Sequence, residues 1–169
     1  QSNIRSVQLY RAGDQTSLPL LQLGTNEQLE LHFDDMEGGL KYYYFSLELC
    51  NADWTPAALQ PYDYIRGFLT SRIYNYRQSS LTQIKYTHYQ TLLPDRNTSL
   101  TKAGNYLLRV FINDDTAKTV LTRRVLVLNK KATVMAQVLQ PNNGNLYQTH
   151  QRVQVGVSSV GTDLLISSP

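Results

Sequence analysis

Cysteine is all but missing: Cys50 stands alone among 169 residues. A single thiol excludes an intrachain disulfide and a cysteine-rich zinc module. It closes an apolar run and has no basic sequence neighbour to activate it, so it reads as a buried free thiol. Charge is scarce as well, at 17% of residues. Sixteen cations against thirteen anions leave a net +3, too little for a nucleic-acid partner without a localised patch. The hydrophobic share of 41% is that of a folded domain, so the low charge does not signal disorder. Apolar runs are short, such as Val125–Leu128, whereas a membrane-spanning helix needs about 20 apolar residues. The outward alternation of a membrane barrel is missing too, since several strands carry charge on both faces. No membrane insertion is expected. No signal peptide is visible, and the chain begins at Gln1 and not at Met. A natural N-terminus removed by processing or trimming is the expectation.

What is present is a period of two, the period of strands. Leu29, Leu31 and Phe33 alternate with Glu30 and His32. Tyr43, Phe45, Leu47 and Leu49 alternate with Tyr42, Tyr44, Ser46 and Glu48, and two later runs, 106–112 and 120–127, repeat the pattern. Shorter candidate strands are Ile4–Tyr10, Leu18–Leu23, Phe68–Ile73 and Ile84–Thr91. Turn formers separate them, including Asp34–Gly39 and a hairpin turn at Asn113–Thr116. No long stretch follows the helical period. Residues 56–65 allow one helical turn, ended by Pro61. Many short strands at close turn spacing predict an all-β chain with an immunoglobulin-like β-sandwich.

A boundary falls near Asn129-Lys130-Lys131. Residues 1–130 hold roughly eight strands, enough for one sandwich. Residues 131–169 carry further strand patterns at Thr133–Gln140, Val153–Val157 and Leu164–Ile166. Segments below about 40 residues rarely bury a core alone, so these residues read as the start of a second, truncated β domain, and the parent protein is expected to be longer.

The sequence is poor in catalytic patterns. His32, His88 and His150 have no metal-pair spacing, and no phosphate-cradling glycine loop or nucleophile elbow is present. Asp34-Asp35 and Asp114-Asp115 read as turn formers. A calcium site on Asp34, Asp35 and Glu37 would lack the EF-hand pattern. An enzyme reading would need two facing carboxylates, with Asp53 and Asp63 as candidates. No enzyme activity, metal or cofactor is expected.

Tyrosine is the unusual feature: twelve are present. Tyr62, Tyr64, Tyr74, Tyr76, Tyr86 and Tyr89 are interleaved with Arg66, Arg72, Arg77 and Lys85. A tyrosine ring buries apolar area while its hydroxyl stays available to water or a partner, and arginine stacks on aromatic faces. Either cross-strand aromatic ladders or a partner surface would account for the cluster. The candidate partner-binding residues are Trp54, Tyr62, Tyr64, Arg66, Arg72, Tyr74 and Arg77. Trp54, the single tryptophan, fits either a lid on the core or a stacking platform for a sugar ring.

Leu49-Cys50-Asn51-Ala52-Asp53-Trp54 resembles a block of the Plug component of the type IX secretion system of Bacteroidota. Further blocks follow in the same order: Tyr62–Gly67, Tyr76–Thr82, Tyr86–Tyr89 and Gly104-Asn105-Tyr106, with Asn3–Tyr10 and Leu31–Asp35 upstream. The resemblance covers nearly the whole first domain. It implies a secreted precursor of several β domains, located in the periplasm or on the outer membrane. It also implies a part in sealing the periplasmic mouth of an outer-membrane translocon barrel, the partner expected here. It brings no catalytic residues. The alternative is a carbohydrate-binding sandwich of a secreted or envelope protein, with a glycan as partner.

Overall fold

The computed structural model describes residues 3–80 and 83–159. The chain divides into two compact units, Gln1–Asn129 and Lys130–Pro169.

The first unit is a β-sandwich. Its four-stranded sheet runs in the order β1 (Ile4–Arg11), β3 (Leu29–Asp35), β8 (Thr87–Leu93), β7 (Asn75–Gln78). The five-stranded sheet runs β2 (Leu20–Gln22), β11 (Thr119–Leu128), β10 (Gly104–Ile112), β4 (Tyr43–Cys50), β6 (Thr70–Arg72). A small ribbon of β5 (Ile65–Gly67) and β9 (Thr98–Leu100) stands beside them. Pairing is antiparallel throughout this unit except for β2 and β11, which run parallel, Leu20 opposite Leu126.

The alternation in sequence becomes the two faces of each sheet. Leu29, Leu31 and Phe33 of β3 face Tyr43, Phe45, Leu47 and Leu49 of β4 and Tyr106, Leu108 and Val110 of β10 in one core. Tyr43, Phe33 and Tyr89 form its aromatic centre: Phe33 and Tyr89 stack at 5.2 Å, and Tyr43 meets both rings edge-on. These three rings have no accessible surface. Fully burying one such ring is worth about 1.5–3 kcal/mol, so this trio fixes how the sheets meet.

The Tyr43 hydroxyl needs a partner at that depth, and Asp35 accepts its hydrogen bond at 2.9 Å. Asp35 is itself wholly buried. Lys41 Nζ lies 2.7 Å from its carboxylate, and Asn3 and the Glu37 amide donate to it. The acidic stretch expected to be a turn therefore starts later: β3 runs through Asp35, and the turn begins at Met36. A second correction concerns Pro61. It opens a 3-10 turn, Pro61–Asp63, and does not end one, because proline fits the first helical position, where no amide partner is required. Cys50 is buried as expected, and that burial raises its thiol above the ordinary range.

In the second unit, β12 (Ala132–Leu139) and β13 (Arg152–Ser159) pair as an antiparallel two-stranded sheet. The candidate strand Leu164–Ile166 lies outside the described residues.

Candidate partner-binding site

β6 and β7 are the outermost strands of the two sheets on one side of the sandwich, and only Ile73 and Tyr74 separate them. The chain changes sheets there. Ile73 is buried and its amide donates to the Tyr43 carbonyl at 2.8 Å, which pins the crossing. Its neighbours turn outward. Arg72, opposite Tyr44 in the pairing of β6 with β4, places its guanidinium 4.1 Å from the ring centre of Tyr42 and 5.1 Å from that of Tyr74. Tyr42 and Tyr74 are 46% and 71% exposed. The cation is therefore held between two rings at the surface. Its Nε is covered and makes no hydrogen bond among the described residues. Cation–ring attraction of about 0.5–1 kcal/mol per contact orders an otherwise mobile side chain.

The remaining candidates fall elsewhere. Arg77 is exposed on β7, opposite His88. Tyr62 is 75% exposed in the 3-10 turn, where the Gln60 amide donates to the Asp63 carboxylate. Arg66 is exposed on β5, opposite Ser99. Tyr64 is only 4% exposed and meets Tyr106 edge-on at 5.9 Å, so its ring serves the core and is not part of a contact surface. Of the seven, Arg72 and Tyr74 are in contact. Tyr42, which completes that arrangement, was absent from the sequence candidates. Its sequence signal is the period of two that it shares with Tyr44, which places it on a strand's outer face and names no partner.

Trp54 lies at the other end of β4 from Tyr42, about 25 Å away at strand rise. The Cys-Asn-Ala-Asp-Trp block builds a tight loop there. The Asn51 amide donates to Thr55 O, the Trp54 amide to Asn51 O, and Asp53 Oδ1 accepts from the Thr55 amide and hydroxyl. Those bonds hold the Asp53 carboxyl below the usual range. Trp54 takes a φ of +68°, and its ring is half-buried. The Arg124 guanidinium sits 4.5 Å from the ring centre. One ring face of Trp54 is thereby occupied, so it is not a platform open on both faces.

The outer face of the four-stranded sheet carries a polar chain. His88 Nδ1 is 2.7 Å from Asp34 Oδ1, and His88 Nε2 is 3.1 Å from His32 Nδ1. His32 Nε2 is 3.2 Å from Glu30 Oε1, which also accepts from Gln90. Both carboxylates are thereby engaged. Among the described residues no group of three or more His, Cys, Asp or Glu side chains could hold a metal ion. Asp53 and Asp63, the carboxylates an enzyme reading would use, each cap their own turn. A cleft of about 510 Å³ is lined by Leu21, Gln22, Glu27, Pro94, Arg96 and Leu100 among others, and no histidine or aromatic ring lines it.

These features define a β-sandwich with a cationic, tyrosine-rich edge. The family model for the first domain of the type 9 secretion system plug protein matches residues 4–129, and the chain belongs to that family. A hypothetical protein from Parabacteroides merdae ATCC 43184, known from its crystal structure, is similar over 95% of this chain at 29% identity, with a TM-score of 0.77. The chain spans 41% of that protein's length. The alkylpurine DNA glycosylase AlkC of Pseudomonas fluorescens is 8% identical over 74% of this chain and 30% of its own, and its TM-score of 0.37 carries no weight. No curated protein matches. No helix among the described residues is long and apolar enough to cross a membrane.

Proposed function

We propose that this domain is a non-enzymatic docking module of a plug component, which helps to seal a type 9 secretion translocon barrel from the periplasmic side. The family match over residues 4–129 carries the reading. The exposed edge around Arg72, Tyr42 and Tyr74 supports it, because arginine and tyrosine dominate the centres of specific protein interfaces. The test is purification of the tagged full-length parent from detergent-solubilised envelopes, with identification of what comes along. An outer-membrane barrel in stoichiometric amount is expected. A clean preparation without any barrel would detach the domain from secretion. The carbohydrate alternative depends on Trp54, and a sugar would have to use its free face or displace Arg124.

A further inference from the structure

We propose that the open edge of β7 is a strand-addition site for an extended acidic segment of a partner protein. Three independent observations converge on it: the direction of backbone groups, the charge of the edge and the shape beside it. The inference concerns how the domain grips a partner, and it stands whether or not that partner is a translocon.

β7 is terminal in its sheet, and among the described residues it pairs with β8 alone. All four of its residues are exposed. The Ser79 amide donates to the Tyr86 carbonyl at 2.9 Å and the Tyr86 amide returns a bond to Ser79 Oγ, so the Ser79 backbone N–H faces β8. Antiparallel ladders alternate bonded and non-bonded pairs, and the register runs without a shift from Gln78–Thr87 to Asn75–Gln90. Arg77 and Asn75 therefore spend their backbone groups on β8. Tyr76 and Gln78 point theirs outward, offering two N–H and two C=O groups to a new strand.

Side chains follow the same alternation. Tyr76 lies opposite buried Tyr89 and packs against it at 6.1 Å, while Arg77 and Asn75 face the other way with His88 and Gln90. A depression of about 460 Å³ opens on this strand, bounded by Asn75, Tyr76, Arg77, Tyr86, His88 and Gln90.

The edge is cationic without compensation. From Tyr64 to Pro94 the sequence holds Arg66, Arg72, Arg77 and Lys85 and no Asp or Glu. Among the described residues neither Arg72 nor Arg77 forms an ion pair. The carboxylates of this sheet, Glu30, Asp34 and Asp35, are all on β3 and already engaged by His32 and Gln90, by His88 and by Lys41. Arg72 is oriented in advance by its two tyrosines. Strand addition draws affinity from main-chain hydrogen bonds and specificity from alternate side chains. A segment alternating small apolar and acidic residues would match both sides of β7.

The test uses the chain as it stands and two blocked heptapeptides, Thr-Val-Glu-Val-Asp-Val-Thr and its counterpart with lysine at both acidic positions. Amide exchange is followed by NMR with and without each. The acidic peptide should slow exchange at Tyr76 and Gln78 about tenfold or more, and the lysine peptide should not. Arg77→Glu should weaken binding of the acidic peptide about tenfold. Gln78→Pro should abolish the protection with the thermal midpoint unchanged, because that N–H lies outside the β7–β8 ladder. Equal binding of the two peptides, or protection away from β7, would overturn the proposal. So would an Arg77→Glu chain that self-associates yet binds the acidic peptide undiminished, since the cations would then be guards against edge-to-edge pairing.

Discussion

Asp35 shows how one residue can tie a sheet, a turn and a core together. Burial raises its carboxyl, but hydrogen bonds from Lys41, the Glu37 amide, Asn3 and Tyr43 outweigh that and hold it below its ordinary 3.8. A depressed carboxyl contributes stability above the unfolded value and loses it as pH falls through the folded one. Asp35→Asn should therefore cost about 2–3 kcal/mol at neutral pH, and the gap to the parent chain should narrow below pH 4, as read from urea midpoints across a pH series. Tyr43 and Lys41 act at the other end of the scale. Burial first, then the Asp35 bond, raises Tyr43, and contacts with Asp35 and Glu37 raise Lys41 against its desolvation. Their contributions are present below the unfolded values and fade as pH climbs past them. Gly67 is a separate case. It holds φ +100°, and a Cβ there would lie 1.8 Å from the Asn97 carbonyl oxygen, which is backbone and cannot step aside. Gly67→Ala should destabilise by about 3 kcal/mol or more, with loss of exchange protection across β5 and β9.

Strands whose side chains alternate or run β-branched over several residues were legible in the sequence, including the exposed β12 and β13, and the short strands at the sandwich edge were not. β3, β4, β10 and β11 each alternate between core and exterior, so the apolar period located them. β7 is exposed at all four positions, and β5 and β9 have three residues each, so periodicity had nothing to register. The tyrosines show the same limit. Tyr62 and Tyr64 are two apart, which in a strand would put them on one face. A 3-10 turn intervenes, and one ring is exposed while the other is buried. Arg72 and Tyr74 were legible as a pair, but Tyr42, some thirty residues earlier, is brought to them only by the fold. The β12–β13 ribbon makes a further prediction. Val134 lies opposite Val157, Ala136 opposite Val155 and Val138 opposite Val153, which gives one aliphatic face, and those valines are 53–63% exposed. A two-stranded sheet is marginal on its own. Its amides in this chain should therefore exchange at least about a hundredfold faster than those of β10, as measured by native-state hydrogen exchange.

At the scale of the molecule, the two units make separate demands. Residues 1–129 enclose one core drawn from both main sheets. Produced alone, they should unfold in urea at the same midpoint as the 169-residue chain, and a lower midpoint would show that the second unit shares in the first unit's stability. The parallel pairing of β2 with β11 has a consequence of another kind. It joins Leu20 to Leu126, close to the two ends of the first unit, while β11 also supplies Val120, Leu121, Val125 and Val127 to the core. A contact made across that much intervening chain is slow to form, because the entropy of closing the loop is lost before the contact returns anything. On a ribosome, or threading through a pore from its N-terminus, the domain stays incomplete until residue 128 is free. Until then β10 presents a bare, apolar edge, which makes the emerging chain a natural client for a holding chaperone.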